Sequence, residues 1–242
     1  MTPASTPAVA LAGLEMGPEL AADLATTSVT LARRFAAGAT MWCLAPRWEP
    51  HAQHVAVEFV HPVIVGKKAL PAVALSGPDL VATTRFSVRP GDIVLAVAAA
   101  AEPEVVSVMR RAPAWGATTV WIGNGERPPA GSADHVLWLD DPDPRLPATG
   151  GFVLLYHLLW ELTHVCFEHP GLLTEQPGCT DEVCVTCSDE GRLGEVVTPG
   201  DPARARTAQG IEDVATALVG QVEAGDLVLI HAGMAITKVD AP

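Results

Sequence analysis

Ile93-Val-Leu-Ala-Val97 follows a Pro90-Gly-Asp92 turn with no polar residue at either parity. Successive side chains of a strand point to opposite faces, so both faces of this strand must be buried. A parallel sheet covered by helices on both sides meets that condition. Short apolar runs at Met41–Ala45, Leu70–Leu75, Thr118–Ile122 and His135–Leu139 repeat the pattern. Helical segments stand between them. Residues 17–37 bring Leu20, Leu24, Val29, Leu31 and Phe35 round at helical spacing. His51–Val60 and Glu102–Trp115 read as helices, the latter opening Glu-Pro-Glu as helix N-termini prefer. Gly151–Phe167 reads as a long apolar helix.

The Pro/Gly/Asp stretch at 140–151 is expected to be a loop within this unit. A second such stretch, His169–Asp181, is the expected domain boundary, because the periodicity changes from helical to strand-like beyond it. The expected domains are therefore 1–170 and 176–242. A chain of 242 residues and 25.3 kDa accommodates two modest domains, and 49% hydrophobic content excludes a disordered chain.

A net charge of −13, with only three lysines among 15 basic residues, excludes the clustered cations that nucleic acid or an anionic membrane would require. No apolar run is expected to reach membrane-spanning length, and the start of the chain lacks a charged segment leading into an apolar one. A cytoplasmic location is expected. Five cysteines, an odd number, fit a reducing compartment with free thiols. Cys43 and Cys166 lie among apolar residues and read as inert core positions.

Near the C-terminus, Gly225-Asp-Leu-Val-Leu-Ile-His-Ala-Gly-Met-Ala-Ile-Thr-Lys-Val239 sets a single imidazole, His231, at the end of an apolar strand. A core histidine satisfied by hydrogen bonds is the ordinary explanation for such a residue. Ligation is the other, because Cys184-Val-Thr-Cys187 lies about one small domain upstream. Thiolates and an imidazole together suit iron or zinc. With Cys179 the spacing becomes C-x4-C-x2-C, which also fits a purely structural zinc site.

Gly-Asp-x-Val-Leu-x-His-x-Gly-x-Ala-Ile, preceded by Val214-Ala-Thr-Ala-Leu-Val219, resembles the HypC/HupF chaperones of nickel-iron hydrogenase maturation over roughly residues 176–242. The resemblance implies a small all-β, OB-like barrel. It implies an iron cargo bearing cyanide and carbon monoxide, delivered to the hydrogenase large-subunit precursor with a HypD-like scaffold protein as partner. The family's metal-handling His corresponds to His231, and its Cys to the Cys184/Cys187 pair, Cys184 being slightly favoured.

The α/β segment, with Ala52-Gln-His-Val-Ala-Val-Glu58 and Ala69-Leu-Pro-Ala-Val-Ala-Leu75, resembles the sugar isomerase (SIS) family over about residues 15–170, its phosphoheptose isomerase branch above all. The resemblance implies a parallel sheet sandwiched by helices and a homodimer or tetramer formed through this domain. It also implies a general base at Glu58 with His157 as partner. Where that family binds phosphate, this chain has Ala45-Pro-Arg-Trp-Glu-Pro50 and Ala98-Ala-Ala-Ala-Glu-Pro103. Alanine donates no side-chain hydrogen bond, and each charge-assisted bond lost is worth ~1.5–3 kcal/mol. Phosphosugar binding is therefore expected to be lost, and enzyme activity with it.

Two spacings remain, His54-x3-Glu58-x2-His61 and His157-x3-Glu161-x2-His164. Residues at i, i+4 and i+7 share a helix face, so His54, Glu58, His157 and Glu161 are candidate ligands for zinc or iron, as a His and Glu four apart are in some members of the isomerase branch. An acid–base pair satisfied by hydrogen bonds or a dimer interface explains the same residues. Pro62 biases His61 out of its helix. Two functions follow. One is a hydrogenase maturation factor with a degenerate isomerase-like domain. The other is an active sugar isomerase, using Glu58 and His157, with a regulatory barrel appended.

Overall fold

A computed structural model describes residues 9–11, 14–139, 150–174 and 191–239. A short hairpin, β1 (Val9–Leu11) with β2 (Leu14–Met16), precedes α1 (Pro18–Ala36). The chain then alternates β3 (Met41–Leu44), α2 (Glu49–Val60), β4 (Ala72–Leu75), α3 (Leu80–Ser87), β5 (Ile93–Val97), α4 (Pro103–Arg111), β6 (Thr118–Asn124), β7 (His135–Leu139) and α5 (Gly150–Glu168). The five strands pair in parallel in the order β4-β3-β5-β6-β7.

Alternating parity divides the core as the apolar strands require. Ile93, Leu95 and Val97 face a cluster built with α1, α2 and α5, whereas Val94 and Ala96 face one built with α3 and α4. α3 was not expected, and only its Leu80 and Thr84 are buried, which leaves little periodicity to read. The helix expected over Glu102–Trp115 stops at Arg111 and tightens into a 3-10 turn, Ala112–Trp115. That turn ends at Gly116, where φ of +83° favours glycine.

α5 corrects the expectation that no segment reaches spanning length: its 19 residues are long and apolar enough to cross a membrane by length and composition. In this fold it is a core helix, with Phe152, Leu155, Tyr156 and Leu159 fully buried against α1 and α2.

The C-terminal unit is antiparallel: β8 (Arg192–Thr198), β9 (Ala203–Thr207), β10 (Gly210–Val214), β11 (Leu227–His231) and β12 (Met234–Lys238), in the order β10-β9-β8-β11-β12. Its two outer strands meet through Ala215. The Ala215 N–H donates to the Gly233 carbonyl (3.0 Å) and the Ala235 N–H to the Ala215 carbonyl (2.9 Å). The sheet thereby curls into a small barrel around Val196, Ala203, Ala205, Val214, Val228, Ile230 and Ala235. Most of the expected boundary stretch, 169–181, falls on residues outside those described.

Candidate metal-binding sites

α2 and α5 lie side by side on one face of the parallel sheet. Their apolar residues (Ala52, Val55 and Phe59; Phe152, Leu155 and Leu159) fix the helices in the core. The polar residues between them then converge. His54 Nε2 lies 3.2 Å from Glu58 Oε1, His157 Nε2 lies 3.2 Å from the same oxygen, and the two Nε2 atoms are 3.3 Å apart.

Three ligands at ~2.0–2.1 Å from a tetrahedral metal stand ~3.3 Å from one another. The spacing therefore fits an ion, and a hydrogen-bonded triad on one carboxylate oxygen has similar distances without one. All three side chains are partly exposed, which leaves a side open for a further ligand. The donor set of two imidazoles and one carboxylate suits zinc or iron(II).

Behind His54 stands a residue that the sequence presented only as part of an apolar helix. The Tyr156 hydroxyl lies 2.8 Å from His54 Nδ1 and 3.4 Å from His51 Nδ1. Tyr156 is fully buried. Burial, with the nearby Glu58 charge, pushes its pKa up to about 12, so the hydroxyl keeps its proton and holds the imidazole from behind, as outer partners of metal-binding histidines do.

The second triplet does not converge. His164 lies two turns beyond His157, or ~10.5 Å along the helix. Its ring is buried, with nitrogens 2.9 Å from the Trp160 and Lys68 carbonyl oxygens. Glu161 is exposed and outside the cluster. His61 caps the C-terminus of α2 rather than sharing the helix face.

The order β4-β3-β5 places the sheet's reversal point between β3 and β5, where ligands of open α/β sheets bind beyond the strand ends. That crevice is a cavity of about 200 Å³ lined by Arg47, Trp48, Val97–Ala99, Ala101 and Glu102. The Arg47 Nε–H donates to the Glu102 carboxylate, which is buried. The two turns expected to lack phosphate donors thus hold an ion pair between them. A phosphate here would meet alanine methyls and have to compete with a carboxylate for Arg47, the one guanidinium lining the cavity among the described residues. A second cavity of about 420 Å³ shares Arg47 and Trp48 and reaches His51, His54 and Tyr156.

In the barrel, His231 ends β11 and pairs with Met234 across a two-residue turn. Ala232 (φ +48°) and Gly233 (φ +77°) both occupy left-handed conformations, as a type I′ hairpin requires. Ala232 does so at a cost of ~1–2 kcal/mol. His231 is half-buried. Arg192 pairs with Ile230, so the chain preceding β8 enters level with His231. Cys179, Cys184 and Cys187 lie outside the described residues. Cys187 precedes Gly191 by four residues, a reach of at most ~14 Å. Cys43 and Cys166 are buried, and burial pushes both thiols up, away from thiolate chemistry.

Residues 191–242 match the family model described as the HupF/HypC family. The α/β unit is similar in fold to a phosphoheptose isomerase from Francisella tularensis, with a TM-score of 0.51 at 16% identity over 61% of this chain and 86% of that one. It is more distantly similar to the C-terminal domain of glucosamine-fructose-6-phosphate aminotransferase from Francisella tularensis, with a TM-score of 0.42 at 18% identity over 62% of this chain and 41% of that one. No curated protein matches the chain. The chain thus joins an α/β domain that shares the fold of a phosphoheptose isomerase to a C-terminal domain that matches the HupF/HypC family model.

Proposed function

We propose that this protein is a nickel-iron hydrogenase maturation factor. The HupF/HypC match over 191–242 carries the proposal, because it spans the described barrel with His231 at the end of β11. The cargo is an iron centre with cyanide and carbonyl ligands. The Cys184/Cys187 thiols and the His231 imidazole handle it, and it passes to the hydrogenase large-subunit precursor with a HypD-like scaffold as partner. The α/β domain is the scaffold and dimerisation module. Its His54–Glu58–His157 cluster is a second site for zinc or iron, with Tyr156 orienting His54. The protein works in the cytoplasm. The test is restoration of hydrogenase activity in cells lacking the protein: the intact chain should restore it, and His231→Ala or Cys184→Ser with Cys187→Ser should not.

A second reading, an active sugar isomerase, draws on the 3.2 Å approach of His157 to Glu58. The Arg47–Glu102 pair and the alanine turn weigh against it. Purified protein should neither isomerise heptose or hexose phosphates nor bind them with micromolar affinity by calorimetry, and micromolar binding would overturn the preference.

A further inference from the structure

In a small barrel, one parity of each strand fills the interior and the other normally meets water. β8 and β11 break that rule. Gly194 and Val196 of β8 face the interior, where a Cβ on Gly194 would stand 2.5 Å from Ile230. Their neighbours Leu193 and Glu195 face outward and yet are covered. On β11, Val228 and Ile230 belong to the barrel core, while Leu227 belongs to the core of the α/β domain. Val239 and Leu193 pack onto that same cluster.

The cover is the end of α4 and the 3-10 turn after it. Glu195 is 3% exposed. Its two oxygens accept separately from Arg111 Nη1 and Trp115 Nε1, each at 2.9 Å. The same Arg111 Nη1 donates to the Gly225 carbonyl at 2.6 Å, at the turn that leads into β11. A third contact is steric: a Cβ on Gly116 would stand 3.3 Å from the Ala208 Cα, in the turn between β9 and β10. Residues 111–116 therefore hold the barrel at three separate loops and strands.

We propose that the α/β domain is the resident partner of the barrel's β8–β11 face, with Glu195 as the latch, so that the two domains move as one body. The inference does not depend on the hydrogenase reading. Its functional consequence is geometric. The latch grips the Leu227 end of β11, about 13 Å along the strand from His231, and leaves the Ala232–Gly233 end as the one turned from the contact. The His54–Glu58–His157 cluster lies on the opposite side of the parallel sheet, because α2 and α5 pack on one face and α4 on the other. Layers stack roughly 10 Å apart, so the latch and the cluster stand on opposite sides of the sheet, on the order of 20 Å apart.

The test measures the tumbling of each domain in the full-length chain by backbone amide relaxation, alongside thermal unfolding. The intact protein should give one correlation time for 18–139 and 191–239 and a single unfolding transition. Glu195→Ala leaves the Arg111 charge buried without its partner, a substitution expected to lower the barrel's transition by about 6–12 °C. It should split the unfolding in two and let the barrel tumble faster. Arg111→Met combined with Glu195→Leu replaces the ion pair with apolar contact and should restore a single correlation time. Two correlation times in the intact chain, or a Glu195→Ala protein that folds and still tumbles as one body, would overturn the proposal. If Glu195→Ala does not fold, the intact chain and the apolar double variant decide it.

Discussion

The α2–α5 cluster and the His231 end of the barrel both present imidazole, but they hold it in different ways. The first takes its ligand atoms from two helices locked into one core. Three donors already stand 3.2–3.3 Å apart, and a buried tyrosine supports one of them. The second takes its imidazole from the last residue of a strand, beside a hairpin turn with an alanine in left-handed conformation. A preorganised three-ligand set favours a resident ion, since no rearrangement opposes binding. A single imidazole at a strand end supplies one donor, which suits a cargo that must also leave. The cluster belongs to the α/β domain and His231 to the barrel.

The largest effect is expected at the cluster. Glu58→Ala or His157→Ala should lower zinc affinity more than about 100-fold, since even outer partners of metal ligands are worth 10–100-fold. His231→Ala should leave the affinity unchanged, as competition with a chromophoric chelator would show. Equal losses from both sets of variants would mean one shared centre. Tyr156→Phe should cost roughly 10–100-fold in the same assay, with the secondary structure intact by circular dichroism.

The same substitution also changes the dependence of stability on pH. Tyr156 titrates at about 12 in the fold against about 10 in an unfolded chain, so the folded state holds the proton more tightly. Its contribution is constant below pH ~10 and falls as pH rises towards 12. Urea unfolding between pH 9 and 11 should show stability declining in the intact protein and a shallower decline in Tyr156→Phe.

At the barrel end, Ala232→Gly relieves a left-handed alanine and should stabilise the protein by about 1 kcal/mol. A loss of stability there would mean that the turn is held by contacts of the methyl group. The smallest effect is expected at the foot of β11. The Glu223 N–H and then the Lys238 ammonium hold the Asp226 carboxyl below its ordinary value. Its contribution is present above the usual carboxylate range and lost as pH falls through the lowered pKa. Asp226→Asn should flatten the acid limb of the barrel's stability slightly.

Much of this was legible in the sequence. Ile93–Val97, apolar at both parities, required a two-sided sheet, and the turn and apolar run at Gly225–His231 marked the strand that ends at His231. Glu58 and His157 came from resemblance, and His54 from its spacing of four from Glu58. Tyr156 was hidden because an aromatic residue in an apolar helix looks like packing. Only the approach of α2 across 102 residues gives its hydroxyl a task. Glu102 was legible only as the acidic end of the alanine turn, and its partner Arg47 could be found only in space. Glu195 had no sequence signal of its own, since its partners lie 80 and 84 residues away. One hint did exist: Leu227-Val-Leu-Ile230 is apolar at both parities, which in a small barrel means that something covers its outer face. The second His/Glu triplet misled because a shared helix face was taken for a shared site, whereas two turns of helix exceed the span of one ion.

Handling of an iron centre by the barrel, through His231 with Cys184 and Cys187, is the step on which the proposed function rests. Its most direct test is iron content, with infrared spectra in the cyanide and carbonyl region, of protein purified without air from cells assembling hydrogenase. The intact chain and Glu58→Ala should carry iron with those bands, and His231→Ala and the Cys184→Ser, Cys187→Ser double variant should lose them. Bands that persist in His231→Ala, or that vanish only in Glu58→Ala, would contradict the account and move the centre to the α2–α5 cluster.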